Sequence, residues 1–245
     1  MNPGDHRRLS HSMKCTPTVK TLEQAVEARH GALATSRCAG TLSCGAAFDL
    51  AAPKRGELFV EIGCRRGRDT IRAAERVGPT GRAIGVDSGA AMLATARASV
   101  PPHIKNARFI AGDPAALPLA DGIADVVISN CTIHPARDKE AVYREIHRVL
   151  KPGGRFVISD VVSGQEFPTP PRSDTSTESA GSGDAIPEGD YRRAIERAGF
   201  VGIAVVERSD PYQQGGVGMY SLTLRGVRPS ATTAEEGHLT RSISP

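Results

Sequence analysis

Glu57-Leu58-Phe59-Val60-Glu61-Ile62-Gly63-Cys64-Arg65-Arg66-Gly67-Arg68-Asp69 decides how the rest of the chain reads. Leu58 to Ile62 is an apolar, partly β-branched run broken only by Glu61, the signature of a short buried strand. Gly63 and Gly67 then permit a tight turn and a close approach of backbone to something bound. Asp69 opens a helical pattern, where an acid suits the positive end of the helix dipole. A strand feeding a glycine turn and a helix is how open α/β sheets build a nucleotide site at the strand's C-terminal end.

The alternation continues outward from this unit. Asp69–Val77 reads as a helix, Gly78-Pro79-Thr80-Gly81 as a turn, and Arg82–Val86 as a strand ending at Asp87. Helix Gly89–Ser99 is stopped by Pro101-Pro102. Strand Ala107–Ala111 ends at Gly112-Asp113-Pro114, and apolar Ala124–Ser129 ends at Asn130-Cys131. Helix Asp138–Leu150 puts Val142, Ile146, Val149 and Leu150 on one face with Asp138 at its start. Lys151-Pro152-Gly153-Gly154 reads as a hard turn before strand Arg155–Val162. Helix Pro187–Ala198, closed by Gly199, leads to strands Val201–Glu207 and Val217–Val227. Only Ser209–Gly216 separates these last two strands, which permits an antiparallel hairpin because parallel strands need a crossover. The fold class is therefore α/β: a doubly wound, mostly parallel sheet with an antiparallel C-terminal strand.

Flanking segments differ in character. Residues 1 to about 18 are expected to be disordered, Val19–Leu33 to form a helix, and Thr35–Pro53 to be a loop with at most a short helical turn. Gly164–Asp184 is rich in Ser, Thr, Pro and Gly and has too few apolar residues to order itself, so a flexible loop or lid is expected. Residues 229–245 read as a disordered tail.

A length of 245 residues suits one α/β domain with appendages. Aromatic residues make up 4% and Trp is absent, which argues against a base-stacking nucleic-acid platform, so no nucleic-acid partner is expected. The net charge of +4 is a mild excess that identifies no partner class. No run is long and apolar enough to span a membrane, and Met1–Ser12 lacks the apolar core of a secretory signal. The expectation is a cytoplasmic protein with reduced thiols and no membrane partner. Its five cysteines, Cys15, Cys38, Cys44, Cys64 and Cys131, are odd in number and include no Cys-x-x-Cys pair, against a disulfide framework or a structural zinc site.

A nicotinamide dehydrogenase would carry G-x-G-x-x-G after its first strand. Here Gly63 and Gly67 stand at G-x-x-x-G spacing, and four residues after Tyr143 comes His147 rather than a catalytic Lys. Asp87, ending the second strand, fits an acid that reaches ribose hydroxyls. Glu61-Ile62-Gly63-Cys64-Arg65-Arg66-Gly67, Val86-Asp87, Gly112-Asp113 and Leu150-Lys151-Pro152-Gly153-Gly154 together resemble the motifs of class I S-adenosylmethionine-dependent methyltransferases. The resemblance covers residues 42–228, which implies a Rossmann-like methyltransferase domain there, after a tail and helix in 1–41 and before the tail in 229–245. It implies S-adenosylmethionine as cofactor, bound by Glu61, Gly63, Gly67, Asp87, Gly112, Asp113 and Asn130. Glu61 would position the methionine end, Asp87 would hold the ribose, and Asp113 would either meet the adenine or serve ordinary turn chemistry. Where the family's first motif has a glycine, this chain has Arg65, which would intrude on the donor, point outward, or pair with the donor's carboxylate.

A narrower resemblance rests on Leu42-Ser43-Cys44-Gly45, Gly67-Arg68-Asp69, Val77-Gly78-Pro79-Thr80-Gly81-Arg82, Ile128-Ser129-Asn130-Cys131 and Arg144-Glu145-Ile146-His147-Arg148-Val149-Leu150. These are similar to the arsenite methyltransferases, whose cysteine thiolates hold As(III). The resemblance makes Cys44 and Cys131 the arsenic ligands and the catalytic pair for a small-molecule acceptor. The family's third cysteine has no counterpart in Glu178–Ile186, so glutathione, another thiol, Cys38 or Cys15 would supply the third sulfur. The alternatives are an organic acceptor or a non-catalytic methyltransferase-like binding protein. Either Cys44 or Cys131 is otherwise a small apolar residue. Cys64 reads as packing, His134, just after the fourth strand, either as a substrate contact or, the commoner case, as an exposed loop side chain, and His147 as structural.

Overall fold

The computed structural model describes residues 46–164, 186–214 and 217–230. Cys44, the Val19–Leu33 helix, the Gly164–Asp184 loop and the 231–245 part of the tail lie outside or almost wholly outside these residues. The elements are α1 (Ala46–Ala51), β1 (Leu58–Ile62), α2 (Arg68–Val77), β2 (Arg82–Asp87), α3 (Ala90–Ala98), β3 (Ala107–Ala111), β4 (Ala124–Asn130), α4 (Lys139–Val149), β5 (Leu150–Ser163), α5 (Glu188–Arg197), β6 (Val201–Arg208), β7 (Tyr212–Gln214) and β8 (Val217–Val227).

The strands form one sheet in the order β3-β2-β1-β4-β5-β8-β6, with β7 paired to β8. β1 to β5 are mutually parallel. β8 runs antiparallel to both β5 and β6 and lies between them. Chain order runs outward from β1 to β3 and then restarts at β4 on the other side of β1. That reversal opens a crevice at the C-terminal ends of β1 and β4, the topological switch point where open α/β sheets bind ligands.

Side-chain alternation along β1 supplies both faces of the sheet. Phe59 packs with Phe48 of α1 and with Ala73, Ala74 and Val77 of α2. Val60 and Ile62 face the other way, toward Val142, Tyr143, Ile146 and Val149 of α4 and Tyr191 and Ile195 of α5. Asp138 caps α4 by accepting a hydrogen bond from Ala141 N at 2.8 Å. Arg155 on β5 donates to both carboxylate oxygens of Glu57, at 2.8 and 2.9 Å, and to Ala51 O at 3.0 Å, tying α1 and the entry to β1 onto the sheet.

Three local expectations change. Lys151–Gly154 is not a turn ahead of the strand but part of β5: Gly153 N donates to Arg228 O and Gly154 O accepts from Arg228 N, each at 2.8 Å. Gly153 has φ +80°, so the segment bulges without leaving the sheet. The expected loop Ser209–Gly216 holds β7, which pairs Tyr212 with Met219. Residues 46–51, expected to be loop or at most a short turn, form α1 because Ala47, Phe48 and Ala51 are buried against the sheet.

Phe156 is fully buried, edge-on to Phe200 at a centroid distance of 4.7 Å and tilted against Tyr143 at 6.1 Å. A Cβ on Gly226 would lie 2.5 Å from its ring, so little can relax into the space it fills. Phe156→Ala is expected to cost roughly 3–5 kcal/mol in urea unfolding; a loss below about 1 kcal/mol would contradict this packing.

Candidate functional site

Four turns line the C-terminal edge of the parallel strands. After β1, Gly63 N and Cys64 N both donate to Val86 O, at 2.8 and 3.1 Å, which folds the turn against β2. Gly67 N donates to Cys64 O at 2.7 Å and closes it. Gly63 and Gly67 have φ of +74° and +76°. A Cβ at Gly67 would lie 2.5 Å from the Phe109 ring, and one at Gly63 would lie 1.9 Å from Thr132 Oγ1. The first contact packs the turn on β3. The second brings the loop after β4 onto the turn after β1, at the switch point.

Asp87 binds these turns together and is buried. Its Oδ2 accepts from Arg65 N and its Oδ1 from Gly89 N, each at 2.8 Å, while its main-chain carbonyl accepts from Gly112 N at 3.1 Å. One residue thus gathers the turns after β1, β2 and β3. Each carboxylate oxygen keeps a second lone pair for another donor.

Glu61 is buried on the α2 side of the sheet and accepts from Thr70 Oγ1 at 2.5 Å. Burial, reinforced by the neighbouring Asp69 charge, pushes its pKa up to about 8 from 4.5. The Arg65 guanidinium is exposed, and its charge partly offsets that rise. Exposure of Arg65 speaks against the reading in which the side chain intrudes on the donor. Its φ of +49° is left-handed, which costs an L-residue roughly 1–2 kcal/mol and is tolerated here because its N–H is fixed on Asp87.

Asp113 is exposed and accepts from Ala115 N at 2.7 Å through Oδ1, while its carbonyl accepts from Ala116 N at 3.0 Å, so it holds its own turn. Gly112 sits where a Cβ would strike Pro118 at 2.5 Å. Asn130 ends β4, and its Oδ1 is buried with no hydrogen-bond partner. Cys131 follows with φ +51° and donates its N–H to Ser159 O at 2.8 Å. It packs against Val161 and Met219 and is disulfide-bonded, contrary to the reduced thiols expected of a cytoplasmic protein. A single pairing needs no framework spacing, so the odd cysteine count carries no information about it. Cys64 is the one free cysteine among the described residues. Burial, then the charges of Glu61 and Asp87, push its thiol well above the ordinary value, so it is a packed neutral thiol.

The structure therefore brings Glu61, Gly63, Gly67, Asp87, Gly112, Asp113, Asn130 and Cys131 to one edge of the sheet. Cys44 lies outside the described residues. Among the described residues no three His, Cys, Asp or Glu side chains cluster as a metal site. Sequence reasoning missed Asp160, a buried acid of β5 whose Oδ2 accepts from His134 N at 2.6 Å and from Tyr191 Oη at 2.8 Å. Of the two readings of His134, the exposed loop side chain does not hold, since the side chain is 14% exposed. The available signal was an acid inside the apolar run of β5. His147 is structural as expected: its ring meets Phe200 edge-on at 5.1 Å, and burial, then the Arg228 charge, lowers its pKa.

Residues 53–199 match the family model described as a methyltransferase domain. The chain is 35% identical over 170 residues to the arsenite methyltransferase of Halobacterium salinarum, covering 69% of this chain and 44% of that protein. It is 39% identical over 103 residues to the demethylmenaquinone methyltransferase of Lactococcus lactis subsp. lactis, covering 42% and 41%. The crystal structure of an arsenic(III) S-adenosylmethionine methyltransferase from Chlamydomonas reinhardtii superposes with a TM-score of 0.65 at 30% identity, covering 82% of this chain and 72% of that one. The chain spans less than half the length of these two curated relatives.

Glu61 makes the ligand-free fold sensitive to pH. Because its folded value of about 8 lies above 4.5, the fold keeps a proton that the unfolded chain releases. Its contribution is complete below pH 4.5 and declines as pH rises to about 8. Urea unfolding across that window is expected to show Glu61→Gln gaining on the wild type as pH rises; parallel pH profiles would contradict the buried-acid assignment.

Proposed function

The chain belongs to the methyltransferase-domain family, and from that membership we propose that it moves a methyl group from S-adenosylmethionine to a small acceptor, arsenite held on thiolates. The observation that carries the donor half is the Asp87-centred junction of turns, together with the unpartnered, buried Oδ1 of Asn130 at the end of β4. A buried amide oxygen without a donor is costly unless a ligand supplies one. The donor carries N–H and O–H groups, and both Asp87 oxygens can still accept from a diol.

When bound, S-adenosylmethionine supplies an electrophilic methyl group on a sulfonium. Asp87 holds the ribose end, and the Gly63 and Gly67 turn lets backbone approach the rest. Glu61, neutral in the free protein, gains from becoming a carboxylate when a cation lies near it. Gly112 and Asp113 flank the adenine end. The chain's main task is to align donor and acceptor and keep water out, since an arsenic(III) lone pair needs no proton removed before it attacks.

The acceptor half rests on Cys131 and on the two arsenite methyltransferase likenesses. Thiolates are the soft ligands that As(III) prefers. Cys131 must first be released from its disulfide by an external thiol, which also suits the third position on arsenic; glutathione is the natural class, with Cys44 as the second protein ligand. A second reading, an organic acceptor, is favoured by the demethylmenaquinone methyltransferase likeness.

Under reducing conditions the wild type is expected to methylate arsenite. Cys131→Ser is expected to lower that rate by about tenfold or more, a loss of roughly 1.4 kcal/mol of transition-state stabilisation, with donor affinity within about twofold of wild type. Unchanged methylation by Cys131→Ser would remove the thiolate assignment. Methylation of a quinol but not of arsenite would select the second reading.

A further inference from the structure

β8 runs antiparallel to β5, so it begins where β5 ends. Met219 pairs with Ser163, the last residue of β5, and β7 places Tyr212 opposite Met219 on its other side. The β7–β8 hairpin therefore stands at the same edge of the sheet as the turns after the parallel strands. Side chains directly opposite one another, and those two apart along a strand, share a face. Val161 of β5, Val217 and Met219 of β8 and Tyr212 of β7 fall on one face by this rule. The loop after β4 is pinned to the same strand, because Cys131 N donates to Ser159 O at 2.8 Å.

Val161 and Met219 are buried and form a floor on which Cys131, Tyr212 and Val217 pack, each of them half-buried. A cysteine side chain is only Cβ and Sγ, so its contact with the floor is made at the sulfur or one bond away from it. Ser163 and Ser221 share the face but are as buried as the floor. Among the described residues of this cluster, those that both rest on the floor and reach solvent are Cys131, Tyr212 and Val217. None is a charged residue, and the polar atom the cluster holds besides its sulfurs is the Tyr212 hydroxyl. Burial raises the pKa of that hydroxyl, so it stays neutral. Whatever Cys131 holds is thus flanked by carbon.

We infer that Tyr212 and Val217, standing on the Val161–Met219 floor, determine acceptor specificity at Cys131, favouring a trivalent arsenical with a carbon substituent over arsenite. This rests on the arsenite reading above. Each thiol that binds gives its proton to a hydroxide, which leaves arsenic as water; an As–S bond replaces an As–O bond and no oxidation state changes. With two protein thiolates bound, one substituent of arsenic remains. A hydroxide in that position exchanges hydrogen bonds to water for contact with carbon, which is unfavourable, whereas a carbon group gains from the same contact. Specificity is the difference between these two affinities, so the residues act on the choice of acceptor and not on methyl transfer.

The test is equilibrium dialysis of the full chain, reduced with a phosphine and desalted, against arsenite or phenylarsine oxide, with bound arsenic measured by mass spectrometry. The intrinsic thiol chemistry of the two probes is common to every variant, so a change in the ratio of their dissociation constants isolates the flanking side chains. Val217→Thr keeps shape and β-branching but replaces a methyl with a hydroxyl, and is expected to lower the preference for the phenyl compound by about threefold or more. Tyr212→Ser, which removes the ring, is expected to lower it by about fivefold or more. Both are expected to keep arsenite affinity within about twofold of wild type, and Met219→Leu, a swap of similar volume, to keep the ratio within about twofold. If wild type binds both probes and neither Val217→Thr nor Tyr212→Ser changes the ratio, the specificity role is overturned while the arsenite reading stands. Equal weakening of both probes in these variants assigns the hairpin a structural role and overturns it too. If reduced wild type binds neither probe, the arsenite reading and this inference fall together.

Discussion

Asp87 imposes the constraint on which the crevice depends. Three turns from three different strands end on this one residue, two through its carboxylate and one through its carbonyl. A charged group is strongly disfavoured at such burial unless backbone N–H groups satisfy it. The turns after β1 and β2 provide those donors, and this fixes both turns. The same contact lets Arg65 hold left-handed backbone while its side chain is exposed. The glycines then follow: Gly67 must lack a Cβ because Phe109 presses on it, and Gly63 because Thr132 does.

Asp160 stands in a comparable relation to the loop after β4. It clamps that loop from β5 and α5 as Asp87 clamps the others from β2. Between the two acids lies the switch point, with Asn130 and Cys131 at the end of β4. Each acid is buried and each accepts main-chain N–H groups. They differ in their remaining partners: Asp87 accepts from two backbone N–H groups, and Asp160 also accepts from the Tyr191 hydroxyl.

Much of this was legible in the chain. Strand alternation and glycine punctuation located β1, the turn, α2, and Asp87 at the end of β2, because each depends on neighbours within a few residues. Asp138 as a cap and the span Val217–Val227 were legible for the same reason. What escaped depends on distant partners. Lys151–Gly154 carries every local mark of a turn, yet Arg228 pairs it into β5 from the far end of the chain. Asp160 looks like one polar residue in a strand until His134 and Tyr191 reach it across 26 and 31 positions. The left-handed backbone of Arg65 turned on a hydrogen bond to Asp87, 22 positions away, and the disulfide state of Cys131 is not encoded in cysteine spacing.

The account stands most directly on calorimetric titration of S-adenosylmethionine into the full-length protein and into Asp87→Ala. Saturable one-site binding by the wild type, weakened by about tenfold or more in a folded Asp87→Ala, is the predicted result. Absence of binding to the wild type, or an affinity that the substitution leaves unchanged, would contradict it.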